Sequence, residues 1–296
     1  MKPSRALVLG AGGQLGRALM ASSPGKVAVT GLTRAECDIA NPDVVAQCLK
    51  QFDPQVVINA AAYTAVDDAE DSPQQAFAIN ADGPGHLASA CARGGLRLLH
   101  VSTDFVFDGK ATAPYETNAM PAPLGVYGES KWRGEQRVAA SGADHVIVRS
   151  SWIYAAAGRN FVLTMLRLMR EQPIVRVVND QIGAPTMASG LAGICWSLAL
   201  KAETQGIFHW SDTGEITWYD FACGIRDEAK ALGLLTAPAS VEPIPTEAFP
   251  TKAKRPAYSV LDVQDTAVEL GVAQRPWREA LQDMLGSLAD RGERAQ

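Results

Sequence analysis

Arg5-Ala6-Leu7-Val8-Leu9-Gly10-Ala11-Gly12-Gly13-Gln14-Leu15-Gly16 decides the fold. Arg5 to Leu9 is a short apolar run bounded by glycine and reads as a buried strand, and a helix is expected from Gln14 onward. The glycines at 10, 13 and 16 give G-x-x-G-x-x-G, which departs from G-x-G-x-x-G because position 15 is leucine. Glycine permits a tight turn and lets backbone N–H groups approach a pyrophosphate closely. The N-terminus of the following helix adds partial positive charge. A plain glycine-rich surface turn is the competing reading. The position between a first strand and a first helix favours dinucleotide binding, with Gly10, Gly12, Gly13, Gln14, Leu15 and Gly16 as candidate contacts.

Outward from this turn, strands and helices alternate. Val27–Leu32, Gln55–Asn59, Leu96–Ser102 and His145–Ser150 read as strands, and Val44–Phe52 and Tyr127–Ala140 as helices. Pro73–Arg93 has helical composition that Gly83-Pro84-Gly85 is expected to break. The alternation predicts an α/β protein, a Rossmann-like doubly wound parallel sheet, with a smaller C-terminal substrate domain. After Trp152 the pattern loosens. Helices are expected at Asn160–Glu171, Met187–Leu200, Trp218–Leu232 and Arg278–Leu288, a strand at Gly206–Trp210, and loops around Pro238 to Pro256. The division expected is 1–150 for the nucleotide domain and 151–296 mainly for the substrate domain. The two are interleaved, with 176–200 packing on the first.

The end of the second strand bears on cofactor choice. An acidic residue there would bond a ribose 2′-hydroxyl, whereas Arg34 suits a 2′-phosphate. Glu36 lies close, so the reading leans to NADPH and keeps NADH open. A solvated loop arginine is the alternative for Arg34. Asp38, with Ile39 after it, would meet the adenine or cap the next segment. Asn59-Ala60-Ala61-Ala62-Tyr63-Thr64 follows another strand, and its small residues would let a cofactor lie on the backbone, with Ala62, Tyr63 and Thr64 as candidates. In Ser102-Thr103-Asp104, the Thr103 hydroxyl would donate to a carbonyl oxygen as charge develops, or bond backbone at a strand end. Tyr127 and Lys131 stand four apart, on one face of a helix. An ammonium beside a phenol lowers the phenol's pKa from about 10 and readies it for proton transfer.

Bulk properties narrow the class. In 296 residues, 47% are hydrophobic and 20% charged, which is enough for a substantial core. A net charge of −5 offers no basic footprint for nucleic acid. No apolar run is long enough for a bilayer, and Met1-Lys2-Pro3-Ser4-Arg5 shows no cleavable leader. Cys37, Cys48, Cys91, Cys195 and Cys223 are scattered, as expected of reduced thiols in a cytoplasmic protein. The four histidines are equally dispersed, so no metal site is expected.

Gly10–Gly16, Asn59–Asp67, Ser102–Gly109, Tyr127–Lys131, Arg149–Tyr154, Asp180–Thr186 and Arg255-Pro256 together carry a resemblance. The chain is similar to the extended short-chain dehydrogenase/reductases and, within them, resembles the dTDP-4-dehydrorhamnose reductase family over nearly its whole length. The resemblance implies NAD(P)H-dependent reduction of a 4-keto sugar nucleotide, dTDP-4-dehydro-L-rhamnose, to dTDP-L-rhamnose for cell-surface polysaccharide. It implies Thr103, Tyr127 and Lys131 as the catalytic residues, with Tyr127 the proton donor. Asp104 and Trp152 then match substrate contacts, and Asn160, Gln181 and Arg255 are candidates for the diphosphate and pocket. Trp152 reads equally as core, and Arg255 as a surface ion pair. Some members use Mg2+ at a dimer contact. No compact carboxylate cluster announces such a site, so metal dependence stays open, and a homodimer rests on the family alone. A 4-epimerase, a dehydratase or a non-catalytic regulatory subunit are the competing functions. Phe105, where a dehydratase would carry Glu, disfavours dehydration, and the intact Thr103, Tyr127 and Lys131 weigh against a subunit without catalysis.

Overall fold

The structure, a computed structural model, describes residues 4–292. The Met1–Pro3 start read for a leader and the last residues of the expected second domain, 293–296, lie outside the described residues. The first half runs β1 (Ser4–Leu9), α1 (Gln14–Ala21), β2 (Val27–Leu32), α2 (Pro42–Phe52), β3 (Val56–Asn59), α3 (Val66–Asp71), α4 (Pro73–Phe77), α5 (Gly83–Gly94), β4 (Arg97–Thr103), α6 (Val126–Ala139) and β5 (His145–Ser150). The second half runs β6 (Ile153–Tyr154), α7 (Phe161–Glu171), β7 (Ile174–Val178), β8 (Ile182–Gly183), β9 (Thr186–Met187), α8 (Ala188–Leu200), β10 (Gly206–Trp210), β11 (Ile216–Thr217), α9 (Trp218–Ala231), β12 (Ser240–Ile244), α10 (Gln264–Leu270) and α11 (Trp277–Asp290).

A six-stranded parallel sheet in the order β10-β5-β4-β3-β1-β2 organises the molecule. Its strands are apolar on both faces, as a sheet covered on both sides requires. Ala6 and Val8 face α1 and α8, while Leu7 and Leu9 face α2, α5 and α6. Each fully buried leucine contributes roughly 2 kcal/mol. The order reverses between β1 and β3, and open α/β sheets bind ligands at such a crevice.

Strand β10 lies far along the chain yet pairs with β5 in register from Gly206 to Trp210. Arg97 at the start of β4 explains how this late segment is held. Its guanidinium donates to the carbonyls of Leu198, Lys201 and Thr204 and pairs with Asp144 at 2.6 Å. It thereby satisfies the carbonyls that end α8 and fixes the turn into β10. A separate core forms beyond the sheet, where Met165, Leu166 and Met169 of α7 meet Phe221 and Ile225 of α9 and Leu281 and Leu285 of α11.

The break expected at Gly83-Pro84-Gly85 does not occur. Residues Ala78–Asp82 form a wide π turn that runs directly into α5. Proline lacks an N–H and crowds the carbonyl four residues back. The widened turn absorbs both defects and lets the helix continue. The Asn80 carbonyl then faces α6, where a Cβ on Gly134 would stand 2.1 Å from it, so glycine there permits the close approach. The proline-rich stretch also holds one strand, β12, which contains Pro243 and pairs with β7 alone, the edge position where a missing N–H is tolerated.

Candidate active site

Gly10 takes φ +78°, and its N–H and that of Ala11 both donate to Leu32 O at 3.0 Å. A Cβ at Gly10 would lie 2.7 Å from the Ala61 backbone, and one at Gly16 only 2.1 Å from Gly10 O. The turn is therefore closed against β3 on one side and against α1 on the other. Gly13 caps α1 without a side-chain hydrogen bond, so no side chain covers the helix's first N–H groups. In front of them is a cavity of about 310 Å3, walled in part by Gly10, Gly12, Gly13, Arg34, Asp38, Ile39, Ala62 and Tyr63. A cradle with no Cβ at its floor fits a dinucleotide's pyrophosphate.

Other residues expected at the cofactor are not on this wall. Gln14 reaches away to Arg159 O at 3.1 Å and to the Asn160 amide at 2.8 Å, the Leu15 side chain is in the core, Gly16 is a packing contact, and Thr64 is exposed. The Arg34 side chain is 67% exposed and only loosely paired with Asp38 at 3.6 Å. Glu36 turns back, its carboxylate accepting from Thr33 N and Oγ1, and those bonds hold its pKa below the usual carboxylate range. Asp38 both lines the cavity and accepts from Ala40 N at 3.1 Å, so the two readings of it coexist.

Helix α6 brings Tyr127 and Lys131 to one face. Gly128 has a structural reason, since a Cβ there would meet Phe105 O at 2.2 Å. Its absence lets Tyr127 stand edge-on to Phe105, with ring centroids 5.5 Å apart. Thr103, at the end of β4, accepts from Phe105 N at 3.3 Å and donates to Asp104 Oδ1 at 3.0 Å. It is thus a strand-end hydroxyl and a neighbour of the phenol at once. Lys131 is 2% exposed and donates from Nζ to Val101 O at 2.6 Å.

The acidic phenol expected from the Tyr127–Lys131 spacing is corrected here. Burial pushes Tyr127 up to about 12, an interaction with the Thr103 hydroxyl opposes the rise, and the Asp104 carboxylate adds to it. Burial also drives Lys131 down to about 8, against the pull of Glu135. Loss of water sets the direction at both groups, outweighing the Thr103 hydrogen bond at Tyr127 and the Glu135 charge at Lys131.

A second cavity, about 360 Å3, opens beyond Phe105. Trp152, Gln181 and Arg255 line it, together with Phe161, Trp218, Arg176 and Asp67, which the sequence reading had not singled out. Trp152 is a non-glycine residue at φ +46°, held by the Thr186 N–H on its carbonyl at 3.3 Å. Its ring stacks on Trp218, centroids 3.4 Å apart and 10° from parallel, over Gly183, where a Cβ would strike the indole at 2.5 Å. Arg255 pairs with Asp67 at 2.7 Å and lies over the Phe105 ring. Its two readings also coexist, because it is an ion-pair partner on the cavity wall. Asn160 does not line the cavity. Its side chain caps α7 through Leu163 N and holds Gln14 and Ala155 O. Asp104, 2% exposed, has Oδ2 without a hydrogen-bond partner and is pushed up to about 6 by burial, with Ser259 and Thr103 hydroxyls opposing.

Helix α6 lines neither space, so Tyr127 and Lys131, also expected at the cofactor, stand off the first cavity's wall, but the helix is tied to both cavities. Ser130 joins it through Asn80 to Tyr63 on the first cavity, and Tyr127 joins it through Phe105 to the second. Among the described residues, no group of three or more His, Cys, Asp or Glu stands together as a metal site, and no helix is long and apolar enough to cross a membrane.

A doubly wound parallel sheet, a glycine turn after β1 and a tyrosine and lysine one helical turn apart beside Thr103 define an extended short-chain dehydrogenase/reductase. Comparison with known proteins narrows this. The family model described as RmlD substrate binding domain matches residues 4–289, and the chain belongs to that family. It is 41% identical to a dTDP-4-dehydrorhamnose reductase of Aggregatibacter actinomycetemcomitans, over 95% of this chain and 98% of that one. Among solved structures it is similar to a dTDP-4-dehydrorhamnose reductase of Clostridium acetobutylicum, with TM-score 0.90, 37% identity and coverage of 96% and 99%. An enzyme of the same name from Bacillus anthracis, solved in complex with NADP, gives TM-score 0.90, 36% identity and the same coverage.

Proposed function

We propose that this chain reduces the 4-keto group of dTDP-4-dehydro-L-rhamnose to give dTDP-L-rhamnose, with NADPH as reductant. One observation carries the reading: a phenol beside the Thr103 hydroxyl and a buried ammonium one turn further on share a helix tied to both a glycine-floored cavity and an aromatic one. The family and the names of its relatives support the substrate.

Gly10, Gly12, Gly13, Ala62 and Tyr63 would hold the dinucleotide, and the reduced nicotinamide would supply hydride to the carbonyl carbon. Tyr127 gives its proton to the carbonyl oxygen as negative charge gathers there. A phenol held near 12 keeps its proton at neutral pH, which suits the donor of a reduction. The Lys131 ammonium then stabilises the phenolate. The Thr103 hydroxyl, which donates to Asp104, turns to the same oxygen. Trp152, Gln181 and Arg255 on the cavity wall would orient the sugar nucleotide, with Arg176 on the same wall and Asp104 behind Thr103. The exposed Arg34 and the folded-back Glu36 favour NADPH over NADH, and the B. anthracis relative solved with NADP is consistent with this. The five free thiols suit a reducing cytoplasm.

Oxidation of NADPH and of NADH by the purified chain, against a panel of nucleotide 4-keto sugars, tests this. Stoichiometric NADPH consumption is expected with dTDP-4-dehydro-L-rhamnose. Tyr127→Phe is expected to lower kcat by about 10²- to 10⁴-fold while cofactor binding persists. No oxidation with any keto sugar nucleotide would refute the reading.

A further inference from the structure

Beneath Lys131 runs a line of buried charge that the reaction above does not use. Glu135 follows Lys131 by one helical turn and is 3% exposed. Both its oxygens are taken. Oε1 accepts from the Ser102 hydroxyl and from Arg149 Nε at 2.9 Å, and Oε2 accepts from the other arm of the guanidinium at 2.6 Å. Arg149, on β5 and 1% exposed, is held in turn. It reaches His209 Nε2 at 3.3 Å and Thr117 O at 3.4 Å, and lies over the Phe107 ring.

Such a pair is a costly way to fill a core. Two charges lose their water, and a well-packed apolar pair of similar volume serves stability as well or better. The arrangement makes sense in relation to Lys131. The charged and titratable groups that act on that ammonium are few: His100 on β4 and Glu135 on α6, with Arg149 on β5 behind the carboxylate. His100 accepts at Nδ1 from the Asn59 amide, whose oxygen is taken by Ala61 N, and burial and the lysine keep it neutral. Glu135 is the one carboxylate in this set. Left free, it would fold onto the ammonium and take its N–H donors away from the site. The bidentate guanidinium and the Ser102 hydroxyl prevent this, so Lys131 spends one donor on Val101 O and keeps two.

We propose that Glu135 is a positioning residue for Lys131: a fixed negative charge, pinned by Arg149 and Ser102, that keeps the ammonium protonated without engaging it. The proposal rests on the reading that Lys131 serves proton transfer by Tyr127. The test is the pH profile of kcat for the full chain, with NADPH and the keto sugar nucleotide saturating, alongside cofactor affinity and thermal melting.

Glu135→Gln with Arg149→Met removes both charges and leaves neither stranded. It is expected to melt cooperatively and bind NADPH normally. Its basic limb should move down by about one pH unit, so that the loss of kcat is small near pH 6, about fivefold near pH 8 and about tenfold only above pH 9. Glu135→Gln alone leaves the Arg149 charge uncompensated and should move the limb at least as far. Glu135→Asp keeps the charge and should hold the limb near its wild-type position. A limb unmoved in either Gln variant, a loss of equal factor at every pH, or an Asp variant shifted like Gln would overturn the proposal. A wild type that oxidises no NADPH would instead refute the function itself, whereas an active wild type with an unmoved limb refutes only this inference.

Discussion

The two cavities tied to α6 are built from different material. The one in front of β1 has a floor of backbone and small residues, a glycine turn, a helix start and the alanines after β3, with the side chains of the 33–39 segment on its rim. The one beyond Phe105 is made by side chains drawn from α3, α7, β7, α9 and the 249–256 segment. A backbone site demands particular residues at fixed spacing, because only glycine can stand where a Cβ would collide. A side-chain site can be assembled in many ways, and its parts need not be near each other in the chain.

Substitutions can sharpen or break this contrast. The largest effect should come from the backbone side. Gly10→Ala puts a Cβ 2.7 Å from Ala61 at positive φ, and NADPH affinity measured by fluorescence titration should fall by about 100-fold or more. A near-normal affinity would mean that the turn is more forgiving than its packing indicates. Trp218→Ala should act on the other side. It removes the stacking partner of Trp152, so KM for the sugar nucleotide should rise by about tenfold to thirtyfold with cofactor affinity unchanged. A matching loss of cofactor affinity would show that the two spaces are not independent.

The last effect falls on stability rather than on either cavity and concerns Asp104, which lines neither. Its carboxyl has a higher pKa folded, about 6, than its ordinary 3.8. The folded state therefore holds the proton more tightly, and wild-type stability is lost as pH rises through this window. The cost is absent below 3.8 and complete above 6. Asp104→Asn should be more stable than wild type by up to about 3 kcal/mol at pH 7.5, with the advantage vanishing near pH 3.5, as read from denaturant midpoints. An advantage independent of pH would show that ionisation of Asp104 is not its source.

The same contrast explains what could be read from the chain. The helix starting at Gln14, the strand at Gly206–Trp210 and the pairing of Tyr127 with Lys131 on one face all follow from local periodicity. The Trp152–Trp218 stack does not, because it joins residues on separate segments and depends on Gly183, itself unremarkable in the sequence. Arg255 shows the boundary between the two cases. Its charge suggested a phosphate contact, but its actual partner, Asp67, became visible only once α3 folded beneath the 249–256 segment. The acidity assigned to Tyr127 failed for a related reason. Spacing gives the neighbour, whereas the pKa is dominated by how much water the fold removes. Likewise Gly83-Pro84-Gly85 resembles a break locally, and only packing against Gly134 makes the π turn worth forming.

Strand β10 has a consequence for biogenesis. During synthesis on the ribosome, β5 emerges with its outer edge bare, and its partner follows only after α7, α8 and the short strands between them. Until then the nascent chain presents an open row of amide and carbonyl groups, the kind of edge that recruits other chains. Premature release before Trp210 would leave a fragment with α6 complete and its sheet still adhesive.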